Sequence, residues 1–106
     1  MHPRTRWTSL WLSAPALGIA LAATSAAATD LSNLVRQDCG GCHGLTLKGG
    51  LGKPLTVEHL APWDREQITQ IILNGVPGTP MPGWRPLLSE DEARTIADML
   101  KQGALQ

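Results

Sequence analysis

Apolar residues are distributed in two distinct ways along this chain of 106 residues. Between Leu10 and Ala22 they run almost without interruption, preceded by Arg4 and Arg6 and followed by the small residues Ala26, Ala27 and Ala28. A basic start, a short apolar run and a small-residue close describe a secretory signal peptide. The run falls short of the roughly 20 residues that a membrane span requires, and Pro15 and Gly18 break it, so no integral membrane anchor is expected. Cleavage is placed after Ala28. Residues 1–28 are then a removed leader, and residues 29–106 a single exported domain with a periplasmic destination.

Past residue 29 the apolar positions become periodic. Leu31, Leu34 and Val35 fall on one helical face, which predicts a short first helix over residues 30–38 that runs into Cys39. Residues 44–63 hold no sustained period and are punctuated by Gly49, Gly50, Gly52, Pro54 and Pro62, the signature of a long loop. Asp64 and Gln67 form a variant capping box, and Ile68, Ile71 and Ile72 follow on one face until Asn74 and Gly75 end the helix. Between residues 76 and 88 the density of prolines, Pro77, Pro80, Pro82 and Pro86, makes a stiff strap. Ser89 and Glu92 cap a last helix whose apolar face is Ala93, Ile96, Ala97, Met99 and Leu100 and which stops at Gly103. The expected class is all-α, three main helices joined by long ordered loops, with no repeats.

Composition changes this picture in one respect. The exported domain has no Phe or Tyr, and its only aromatic residues are Trp63 and Trp84. A chain so short and so poor in aromatics needs something besides its own side chains to complete a core. Cys39 and Cys42 are its only cysteines, which excludes a framework of several disulfides. Without Arg4 and Arg6 the acidic residues outnumber the basic ones, so nucleic acid is not an expected partner.

Cys39-Gly40-Gly41-Cys42-His43 supplies the missing constraint. It is the C-x-x-C-H pattern of covalent haem attachment. Two thiols three positions apart reach the two vinyl groups of one porphyrin edge, and the adjacent imidazole rises beneath the iron. One haem c per chain is expected, held through Cys39 and Cys42, with His43 as an axial iron ligand. A redox dithiol, a small disulfide loop and half a zinc site are the rival readings. The chain lacks both a βαβ frame and a second Cys or His pair at zinc spacing. Met81, in Thr79-Pro80-Met81-Pro82-Gly83, is the expected second axial ligand, since a thioether favours ferrous iron and suits an electron carrier. Met99 is read as packing on the last helix, and His59 as a surface residue able to replace Met81 if the strap moves.

Residues 31 to 103 resemble the class I monohaem cytochromes c, on the strength of the Cys39 to His43 and Thr79 to Pro82 motifs together. A narrower resemblance is to the cytochrome c-55X group, carried by Val35 to Cys39, Gly44 to Gly52 and Pro77 to Pro86. It implies a small class I fold, and a role in denitrification beside haem cd nitrite reductase. That role is either one-electron transfer to the reductase or assistance in maturing its d1 haem; neither makes the chain an enzyme. The usual Gly-Pro-x-Leu loop, whose proline carbonyl orients the proximal histidine, is Gly52-Lys53-Pro54-Leu55 here. The orienting carbonyl is therefore assigned to this segment without choosing its residue. Trp63 and Trp84 are candidates for covering the macrocycle or for packing, Arg85 is a propionate partner or a solvated side chain, and Lys48 with Lys53 offers a small positive rim. A monomer is expected, with exchange of the last helix between two copies as a possible side state.

Overall fold

The computed structural model describes residues 11–18 and 30–106. Most of the expected leader and its cleavage site lie outside the described residues, and residues 11–18 carry no regular secondary structure. The described chain is helical, without a strand, and none of its helices is long and apolar enough to cross a membrane.

The first helix, α1, spans residues 30–43 and is not uniform. Residues 30–34 are α-helical, Val35–Cys39 forms a π turn in which the Gly40 N–H reaches back to the Val35 carbonyl, and Gly40–His43 is α-helical again. The helix thus continues five residues beyond the expected 30–38. Its π turn has a structural consequence. In a regular α-helix Cys39 and Cys42 would follow Leu31 and Val35 on the same stripe. One extra residue rotates everything after it by about 100°. Gly40 takes the buried place after Leu31 and Val35, while Cys39 is only half-buried and Cys42 is exposed.

A single turn, α2 (Val57–Leu60), interrupts the segment expected as continuous loop. Thr56 caps it by accepting the His59 N–H at 3.3 Å, and Leu60 is its one buried residue. A turn this short contains too few apolar positions to show a period. Helix α3 (Arg65–Asn74) has the full capping box, Asp64 accepting from the Gln67 N–H and the Gln67 side chain accepting from the Asp64 N–H. Its buried face is Ile68, Thr69, Ile72 and Leu73. Thr69 is fully buried because its hydroxyl donates to the Arg65 carbonyl at 2.8 Å, whereas Ile71, expected on this face, is only partly buried. Helix α4 (Glu90–Lys101) starts with the complete Ser89 and Glu92 box and buries Ala93, Ile96, Ala97 and Leu100.

α3 packs on α4, and Ala93 and Ala97 of α4 have no exposed surface. Arg65 pairs with Asp98 at 2.8 Å and Arg94 with Glu66 at 3.5 Å across the same boundary. Leu31 and Val35 of α1, Leu47 and Leu60 of the connecting segment, and Leu105 beyond α4 complete one core. Cys39 of the first motif and Trp84 of the strap pack against this core.

Candidate functional site

The C-terminal end of α1 leaves carbonyls without helical partners, and the following loop returns to meet them. The Gly52 N–H donates to the Cys42 carbonyl and the Gly49 N–H to the His43 carbonyl, each at 2.8 Å. This return needs main chain to lie against main chain. At Gly50 a Cβ would stand 2.8 Å from the Cys42 oxygen, and at Gly44, where φ is +91°, 2.5 Å from the Gly49 oxygen. Leu47 adopts the left-handed region at φ 60° although it is not glycine. Its nearly complete burial and its two main-chain hydrogen bonds, to Gly44 and from Leu55, offset that strain.

Two residues of the loop control the His43 ring. A Cβ on Gly52 would lie 2.8 Å from both Cε1 and Nδ1 of the imidazole, so the bare backbone of Gly52 presses against it. Beside it, His43 Nδ1 and the Lys53 carbonyl oxygen are 2.6 Å apart. A carbonyl can only accept, so Nδ1 carries the proton and Nε2 keeps its electron pair for a metal. The residue that was left open is therefore Lys53, immediately before Pro54.

Cys39 and Cys42 are free thiols on one turn of helix. Burial pushes the Cys39 thiol up to about 11, and the neighbouring Asp38 carboxylate adds to the effect, so this sulfur stays protonated at neutral pH.

The strap is organised differently. Gly75, at φ 69°, turns the chain out of α3, and a Cβ there would come within 2.6 Å of the Met81 oxygen. The Met81 carbonyl accepts from the Val76 N–H at 3.3 Å, and its N–H donates to Thr79 Oγ1 at 3.3 Å; that hydroxyl donates to the Val76 carbonyl at 2.7 Å. Both main-chain groups of Met81 are thus held within the strap, and its side chain is half-buried. The strap closes where the Trp84 N–H meets the Ile72 carbonyl at 2.9 Å and the Arg85 N–H meets the Leu73 carbonyl at 3.2 Å.

The remaining candidates separate clearly. Met99 packs against the core, His59 is exposed on α2, and Lys48 and Lys53 are exposed. Trp84 packs against the core, whereas Trp63 is 43% exposed beside Ile71 and Gln67, with its carbonyl accepting from Lys101 Nζ. Arg85 is not freely solvated: Nε donates to Asn74 Oδ1 at 2.8 Å and Nη1 lies 3.6 Å from Glu90. Sequence reasoning missed the role of Gly52, because contact with an imidazole ring nine residues back in the chain has no local signal.

A porphyrin iron suits this donor set: two free thiols one turn apart, an imidazole whose Nε2 lone pair is free, and a thioether on an ordered strap. The glycine cradle behind His43 fits as well, since it locks the ring from the side away from Nε2. Such an all-helical chain, with C-x-x-C-H closing its first helix, has the make-up of a c-type cytochrome.

Comparison with known proteins agrees. Residues 26–100 match the family described as cytochrome c oxidase, cbb3-type, subunit III. Cytochrome c55X of Paracoccus denitrificans (strain Pd 1222) is 62% identical over 71 residues, which cover 67% of this chain and 69% of that protein. Cytochrome c55X of Pseudomonas aeruginosa is 51% identical over 75 residues, 71% of this chain and 63% of that protein. The solved c-type cytochrome NirC superimposes with a TM-score of 0.74 at 46% identity, over 76% of this chain and 95% of that one. Dihydro-heme d1 dehydrogenase NirN, solved in complex with DHE, shares the fold over 66% of this chain but only 15% of its own, at a TM-score of 0.62 and 36% identity. This chain belongs to the cytochrome c55X family, c-type cytochromes linked to denitrification.

Proposed function

We propose that the chain is a periplasmic one-electron carrier that serves the haem cd nitrite reductase of denitrification. Cys39 and Cys42 hold one haem c by thioether bonds, and His43 and Met81 ligate its iron; the bound group supplies a one-electron couple. The protein's part is positional. The Lys53 carbonyl keeps the proton on His43 Nδ1, Gly52 limits rotation of the ring, and the strap presents the Met81 sulfur. Residues 1–28 direct export and are removed.

The observation that supports this reading most directly is the 2.6 Å contact of His43 Nδ1 with the Lys53 carbonyl, which leaves Nε2 as the ring atom available to a metal. A second reading has its own support. Part of dihydro-heme d1 dehydrogenase resembles 82% of this chain at 35% identity, which favours an accessory role in d1 haem maturation. Rapid reduction of the nitrite reductase by this protein alone supports the carrier, and stable co-purification with the d1 maturation enzymes supports the accessory role.

The ligand assignment is tested on periplasmically expressed protein. The oxidised wild type is expected to show the weak far-red absorption of iron bonded to methionine sulfur, and intact mass is expected to show one covalent haem on a chain beginning at residue 29. Met81→Ala is expected to lose the far-red band, keep the haem and bind carbon monoxide quickly in the ferrous state. Fast and complete carbon monoxide binding by the wild type at neutral pH would overturn the two-ligand reading.

A further inference from the structure

Six side chains form a closed polar ring on the outside of the molecule, and one of them belongs to the strap. Along α3, Gln70 donates to Glu66 at 2.8 Å and Asn74 donates to Gln70 at 3.0 Å, a ladder with four-residue spacing. Asn74 accepts from Arg85 Nε at 2.8 Å, and Arg85 Nη1 lies 3.6 Å from Glu90 at the start of α4. Glu90 pairs with Arg94 at 3.4 Å, and Arg94 returns to Glu66 at 3.5 Å. Among the described residues, Arg85 is the one strap residue whose side chain bonds to anything outside the strap.

Its position gives this bond leverage. Arg85 follows Trp84 at the point where the strap rejoins α3 by main-chain bonds to Ile72 and Leu73. Those two bonds end on carbonyls of the last turn of α3, which tends to fray without side-chain support. Arg85 grips the next residue, Asn74, and Asn74 is itself held in orientation by Gln70. The planar guanidinium reaches Asn74 through Nε and Glu90 through Nη1, two donors held at a fixed spacing that a lysine ammonium lacks. Each contact is about half-exposed and weak alone. Their effect on the strap comes from closing one small loop at its one polar side-chain anchor among the described residues, beside the apolar packing of Trp84 and Leu88 on the core.

We propose that Arg85 is a positioning residue for Met81: it latches the strap between α3 and α4 and sets how readily the strap lifts. The inference rests on the reading of Met81 as an iron ligand for its spectroscopic consequence, and on the hydrogen-bond geometry alone for its mechanical one. Arg85→Ala holoprotein is expected to lose the far-red methionine band to added imidazole at about fivefold lower concentration than the wild type, strap opening being favoured by that factor. Arg85→Lys is expected to recover part of that shift. Arg65→Ala, which removes the Arg65 to Asp98 pair without touching the ring, is expected to lower thermal stability and leave the band unmoved.

Hydrogen exchange of the Val76, Met81 and Trp84 amides in the same proteins provides the second arm. Exchange about fivefold faster in Arg85→Ala, and unchanged in Arg65→Ala, supports the latch even if the wild type shows no methionine band, in which case the ligand reading fails by itself. Exchange unchanged in Arg85→Ala, or a band shift equal in the two variants, overturns the proposal.

Discussion

The two flanks of the candidate site hold His43 and Met81 by different means. On the His43 side, main chain meets main chain: helix-end carbonyls accept from Gly49 and Gly52, and a carbonyl of Lys53 accepts from the ring itself. No substitution at a non-glycine position deletes these groups. On the Met81 side, the candidate thioether sits in a proline-rich excursion stabilised by one hydroxyl, a few main-chain bonds at its closure, the packing of Trp84 and Leu88 on the core and the guanidinium of Arg85. One flank is built to stay, the other to be adjusted. On the proposed reading that division suits a carrier, in which the proximal imidazole would remain in place while the strength of the opposite ligand would set the couple.

The harshest way to break the comparison is to remove the covalent anchor from the first flank. Cys39→Ala combined with Cys42→Ala is expected to abolish covalent haem by intact mass and to leave a chain without a cooperative thermal transition. On the proposed reading, the cofactor would complete the apolar core of a chain this short. A sharp transition in that variant would show that α1, α3 and α4 form a self-sufficient core.

A milder pair sharpens it. Gly52→Ala places a Cβ 2.8 Å from the His43 ring, and Gly75→Ala places one 2.6 Å from the Met81 oxygen at a positive φ. Each is expected to cost about 2 kcal/mol in thermal or denaturant unfolding. Their spectroscopic effects should differ. Gly52→Ala raises the reduction potential and retains the methionine band, because a histidine that loses its Nδ1 acceptor donates less to the metal. Gly75→Ala instead weakens or abolishes the band.

The smallest effect belongs to the surface. Glu66 is held below its ordinary value of 4.5, first by the Gln70 hydrogen bond and then by Arg94, and Glu92 is held below 4.5 by its hydrogen bonds to Ser89. A carboxylate lowered in the folded state contributes stability above its unfolded value and loses it as the pH falls through the folded one. Thermal stability is therefore expected to be flat from neutral pH down to about 5 and to decline gently below 4.5, less steeply in Glu66→Gln. A decline already present near pH 6 would point to a different titrating group.

Legibility followed the range of each interaction. The capping boxes at Asp64 and Ser89 and the apolar faces of the last helix were readable because their partners lie three or four residues apart. The motif from Cys39 to His43 and the proline strap around Met81 were readable for the same reason. The π turn, the single-turn α2 and the burial of Thr69 in place of Ile71 were not. A helical period survives one inserted residue in so short a segment, and a buried hydroxyl is acceptable only once its acceptor is known.

By itself, then, the sequence determined the helical class, the helix starts, the C-x-x-C-H motif and the methionine candidate, all consequences of short-range spacing. Only the tertiary structure decided that Lys53 rather than Pro54 orients His43, that Gly52 must lack a side chain, and that Arg85 ties the strap to two helices. Each of those depends on groups nine or more residues apart, or on helix ends brought together by the core. Spacing along the chain cannot reveal such a contact, because the packing creates it.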